Sequence, residues 1–171
     1  MSISMASISL PAFTSTLQNL SHLLDKAQLF IDEKKCDPAA VTQFRLAPDM
    51  LPFTRQILIA CDAVKNGVAR ISGVEAPKFA DDEVTLEQLK LRIQKTLDYL
   101  ASVPPSALEG TEKKEITFPV GRDATRTMVA DAYLMQWVIP NLYFHVTTAY
   151  NILRHNGVAI GKMDYLVGAK R

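Results

Sequence analysis

DAYLMQWVIPNLYFHVTTAYNILRHN, residues 131–156, decides the fold of this chain. Within it Leu134, Val138, Leu142, His145, Ala149 and Ile152 return at steps of three and four, the spacing that stacks side chains on one helical face. The stretch predicts a helix from about Asp131 to Asn156, stopped by Gly157, since glycine readily takes the left-handed backbone that ends many helices. Pro140 lacks an amide hydrogen and its ring meets the carbonyl four residues earlier, so a kink or a division is expected there.

Three more segments of this kind precede it. Thr85 and Gln88 stand at capping-box spacing before Leu86, Leu89, Ile93, Leu97 and Leu100, and Pro104–Pro105 close that helix. Phe53, Ile57, Ala60, Val64, Val68 and Ile71 make another stripe, opened by Pro48 and Pro52 and ended by Gly73. The first helix, expected over about residues 10–34, carries Phe13, Leu17, Leu20, Leu24, Ala27 and Ile31, with Ser9 as cap and Pro11 in its first turn. Pro38 to Phe44 reads as a short helical turn, and Val74 to Val84 as a link long enough to cross the end of a bundle. Between Ser106 and Ala130 the period changes: Ile116, Phe118 and Val120 alternate with polar residues before a Gly121-Arg122-Asp123 turn. Pro119 cannot donate to a ladder, so a β-like flap and an irregular loop both stand as readings. The architecture expected is all-α, one four-helix-bundle domain over residues 1–171.

Composition narrows the function classes. Hydrophobic residues at 48% supply a core, and 19 basic against 18 acidic residues leave a net charge of +1, without the positive field that a nucleic-acid backbone attracts. Cys36 and Cys61 lie in no metal-binding spacing and are too few for a disulfide framework, which fits a reducing cytoplasm. No stretch reaches the roughly 20 apolar residues of a membrane span, and the start has no signal-peptide pattern.

Three histidines carry most of the chemistry in question. His22 shares a helical face with Gln18, Asp25 and Lys26 and reads as a solvated surface residue. His155, beside Arg154 in the last turn, complements the carbonyl end of the helix dipole. His145 falls on the apolar stripe, so its imidazole points inward and needs a partner: a neighbouring carbonyl or hydroxyl in one reading, a metal in the other. Asn141 stands one turn before it, and neither HxxxH nor ExxH occurs. Cys61 reads as a small buried hydrophobe, and GVAIG at 157–161 as a helix stop without the spacing of a phosphate loop.

PNLYFHVTTAYNILRHNGVAIGK, residues 140–162, and LAPDMLPFTRQ, residues 46–56, together resemble the family known as domain of unknown function nineteen-ninety-three. Glu87-Gln88-Leu89, Arg92-Ile93 and Asp164-Tyr165-Leu166 fit it as well, so that the resemblance spans nearly the whole chain. That family is similar in turn to the DinB/YfiT-like metalloenzymes. This remoter resemblance implies a four-helix bundle in up-down-down-up order, often a homodimer, with a divalent metal on three histidines. Carried over by position, His145 matches one of the three, while Asn141 and Gln56 stand where the other two imidazoles would be. Amide oxygens bind zinc or nickel far more weakly than imidazole nitrogens, so retention of the fold does not carry the metal with it.

Two functional expectations follow. One is a small-ligand-binding or dimeric interaction module whose ligand site is His145, Asn141 and Gln56. The other is a metal-dependent enzyme of thiol transfer or hydrolysis, with His145 as metal ligand beside Asp49 or another oxygen donor. A metal-free enzyme with His145 as general base is a third class, with no substrate to argue from. Tyr133, Trp137 and Tyr150 add bulky aromatic surface to the last helix, which favours a homodimer, unless they pack on the segment Ser106 to Ala130.

Overall fold

The computed structural model describes residues 4–169, so the ends of the expected domain, residues 1–3 and 170–171, lie outside the described residues. The chain is mostly helical, 65%, with one small antiparallel sheet. In order come α1 (Met5–Lys34), α2 (Pro38–Gln43), α3 (Phe53–Ser72), α4 (Leu86–Ser102), a 3₁₀ turn (Pro105–Leu108), β1 (Glu115–Val120), β2 (Ala124–Val129), α5 (Ala130–Tyr133), a π-turn (Leu134–Val138), α6 (Ile139–His155) and α7 (Lys162–Leu166). The long helix α1 packs on α4 and α6, and α3 packs on the same two. The expected stripes supply the core: Leu17, Leu20 and Leu24 of α1, Ile57, Val64 and Val68 of α3, Leu89 and Ile93 of α4, and Leu142, Ala149 and Ile152 of α6 are all buried. No helix among the described residues is long and apolar enough to cross a membrane.

Local chemistry sets the boundaries. Thr85 and Gln88 do form a capping box on α4, and Gly73, at φ +78°, ends α3. The first helix begins earlier than expected, because Ser4 rather than Ser9 is the cap and bonds reciprocally with Ser7. Ser9 is buried and donates its hydroxyl to the Met5 carbonyl, while Pro11 lies inside the helix.

Between the 3₁₀ turn and the last helix the chain forms a hairpin, with Glu115 opposite Val129 and Val120 opposite Ala124, so the architecture is not wholly helical. A two-stranded ribbon has only edge strands, where proline is tolerated, and Pro119 therefore sits in β1 opposite Thr125. Ile116 and Phe118 face inward. Phe118 meets Tyr133 and Trp137, with ring centroids 4.6 and 5.0 Å away, and Tyr150 meets Tyr165 at 6.0 Å. All three aromatic rings singled out in the sequence thus have partners within the chain. Lys114, just before β1, donates to the last carbonyls of α3 at Arg70 and Ile71, 2.9 and 3.1 Å away, and pins the ribbon to that helix end.

Pro140 does not divide the last helix. Backbone angles stay right-handed through Tyr133, Leu134, Val138 and Ile139, and the π-turn ends at Val138, two residues before the proline. A π-turn holds one extra residue and skips the regular i to i−4 bond, which relieves the proline ring of its clash with an α-helical carbonyl. The turn packs tightly on α3: a Cβ added at Gly67 would lie 2.7 Å from a methyl of Val138.

Candidate functional site

Gln56 lies in the first turn of α3 and His145 near the middle of α6. The two helices bring Gln56 Oε1 within 2.7 Å of His145 Nδ1. Gln56 is itself held, since its Nε2 donates to the Leu51 carbonyl at 2.8 Å. Both residues are buried, at 2% and 9% exposure. Burial disfavours the imidazolium and pushes the His145 pKa down from 6.5 to about 4, so the ring is neutral at physiological pH.

The only buried side-chain nitrogen or oxygen atoms without a partner among the described residues are Glu83 Oε2 and Arg92 Nε. His145 Nε2 forms no hydrogen bond among the described residues. The Phe144 ring, 57% exposed, stands edge-on to the imidazole with centroids 5.1 Å apart, and Leu51 is also exposed. The ring is thus an inward side chain with one nitrogen occupied, the other without a protein partner, and the exposed Phe144 ring at its edge.

Of the expected site residues, the structure joins His145 and Gln56 and leaves Asn141 apart. Asn141 is half-buried one turn before His145 on α6 and bonds to neither. Asp49 is exposed in the segment ahead of α3 and forms no hydrogen bond with the pair. A three-imidazole metal site does not fit these donors: one imidazole and two amides are present, and the Gln56 oxygen already faces a ring nitrogen. No cluster of three or more His, Cys, Asp or Glu that could hold a metal is found among the described residues.

The other histidines divide. His155 is exposed at the end of α6, as expected. His22 is not a solvated surface residue: it is half-buried and its Nε2 lies 3.0 Å from Asp164 Oδ1. The helical phase that placed it beside Asp25 and Lys26 could not reveal α7, which folds back over α1 and is further held by Asn19 donating to the Tyr165 carbonyl. Cys61 is fully buried, and desolvation pushes its thiol up to about 12, which leaves it a packing residue.

A second polar cluster escaped the sequence reading. Arg92 of α4, 1% exposed, bonds Asp62 of α3 at 2.9 Å and Asp81 and Glu83 of the connecting link at 2.8 and 3.0 Å. Lys65 bonds Asp62 at 3.0 Å and the Pro77 carbonyl at 3.1 Å, and both cations lie over the Phe79 ring. Arg92 follows Leu89 by three positions and precedes Thr96 by four, so its place on the buried stripe was legible. The acidic run in the link supplied its partners.

The sequence profile of the family described as Domain of unknown function (DUF1993) matches residues 5–166. The crystal structure of a DinB family member protein from Shewanella denitrificans superposes with a TM-score of 0.88 at 40% identity, covering 95% of this chain and 91% of that one. No curated protein matches.

Proposed function

The chain belongs to the DUF1993 family, and from that premise we propose that it is a DinB-like four-helix bundle, up-down-down-up, whose metal site is degenerate and whose remaining site binds a small ligand. The observation that carries this reading is the Gln56–His145 bond. An amide stands where the resemblance implies an imidazole, and it serves as hydrogen-bond acceptor to His145. The ring keeps one nitrogen without a protein partner, Asn141 stands one turn before it, and the exposed Phe144 ring lies edge-on to the imidazole. A neutral imidazole beside an amide and an exposed aromatic ring suits a small organic molecule better than a metal ion, for which one imidazole and amide oxygens are weak donors.

The reading includes a cytoplasmic homodimer. Tyr133 and Trp137 lie against the ribbon, so the support now comes from Met135, Tyr143 and Phe144 of the last helical stretch, which remain exposed at 52%, 40% and 57%. Elemental analysis and light scattering on one purified, dialysed sample test both parts. A stoichiometric transition metal would overturn the degenerate site and favour the metal-dependent enzyme; a mass staying near 19.0 kDa at high micromolar concentration would remove the dimer.

A further inference from the structure

His145 has two ring nitrogens, and the anchoring of Gln56 assigns their roles. The Gln56 amide has one donor end and one acceptor end. Its donor end is committed to the Leu51 carbonyl at 2.8 Å, since the reverse orientation would set two acceptor oxygens against each other. The acceptor end therefore faces His145 Nδ1 at 2.7 Å, and a neutral imidazole can satisfy it only by carrying its proton on Nδ1. Nε2 is then unprotonated, and it is the nitrogen that has no hydrogen-bond partner among the described residues.

From these contacts we infer that Gln56 is a positioning residue: it locks His145 in the Nδ1–H tautomer, so that the open Nε2 accepts an O–H or N–H from a ligand. The ligand class rests on the binding role proposed above, whereas the tautomer does not. The order of contacts, carbonyl to amide to imidazole, is that of an outer shell that orients a functional histidine. The sequence alone could not supply it, because the Leu51 carbonyl belongs to the backbone.

Ring-nitrogen NMR on the full isotope-labelled chain at neutral pH reads the tautomer, with His145→Gln identifying the resonances. Wild type should show a protonated Nδ1 and a bare Nε2. Gln56→Leu removes the acceptor and should move the ring toward the Nε2–H form that histidine prefers in water, and Gln56→Glu, which still accepts, should restore Nδ1–H. A wild-type ring protonated at Nε2 overturns the inference even if Gln56→Leu fails to fold, and so does a folded Gln56→Leu with its tautomer unchanged. Phenol and its methyl ether, anisole, test the ligand class: phenol should shift Nε2 and anisole should not. An equal response to both, or none to either, counts against the donor-ligand role while the tautomer result stands on its own.

Discussion

Two buried polar contacts tie α3 to its neighbours on opposite physical terms. Gln56 meets His145 of α6 as a neutral pair with one nitrogen unfilled. Asp62, almost two turns further along, joins an ionic cluster of two cations, Arg92 and Lys65, and three carboxylates, its own and those of Asp81 and Glu83. The cluster engages α3, α4 and the link between them, and its charges are turned toward each other. Its task is to fix the path of the chain, and the long link needs that because it has no secondary structure of its own. The pair involves fewer groups, carries no net charge and leaves one ring nitrogen without a protein partner. The cluster leaves Glu83 Oε2 and Arg92 Nε unfilled as well, but within a network of opposite charges that holds them.

The largest effect should come from breaking the cluster. Arg92→Met leaves three carboxylates without their shared cation and should cost about 3–5 kcal/mol in urea denaturation. A loss under about 1 kcal/mol would show that the exposed edges of Asp62 and Asp81 already satisfy those charges, and the contrast between the regions would collapse.

The pair should reveal itself through pH. Folded His145 titrates near 4 and an unfolded histidine near 6.5, so as pH falls through that window the unfolded chain takes up a proton the folded one refuses. Stability should be full above pH 6.5, decline by up to about 3 kcal/mol down to pH 4, and then lose nothing more from this group. His145→Gln should abolish that component of the profile, and Arg92→Met should retain it. Identical profiles for His145→Gln and wild type would mean that the imidazole is better solvated than its burial implies.

His22 offers the mildest comparison, a half-buried histidine paired with one carboxylate. His22→Ala removes its bond to Asp164 and should cost about 1 kcal/mol. Faster hydrogen exchange confined to α7 would accompany it, and protection lost evenly across the molecule would contradict a local role.

How much of this could be read in advance depends on whether the deciding contact is periodic. The stripes of α3, α4 and α6 were legible because burial along a helix repeats every three or four residues, and the inward turn of His145 was legible for the same reason. Its partner could be named only through the family resemblance, since no spacing rule links positions 89 residues apart. His22 was misread because α7 comes back to α1 across 142 positions. Arg92 was passed over because a charged residue on an apolar stripe looks like an error until the carboxylates of a loop are brought to it. Pro140 was expected to disturb the helix, and the backbone absorbed it in a widened turn whose location no residue type announces.

That widened turn also changes how lengths should be compared among relatives. Each residue of an α-helix advances its side chains by about 100°, and the π-turn at Leu134–Val138 carries a surplus one. A relative lacking one residue here would not simply have a shorter helix. It would keep everything after Pro140 meshed with α3, His145 included, while Tyr133 and the ribbon before it swung around the helix axis. In an alignment, a single gap at this place is a rotation written as a deletion.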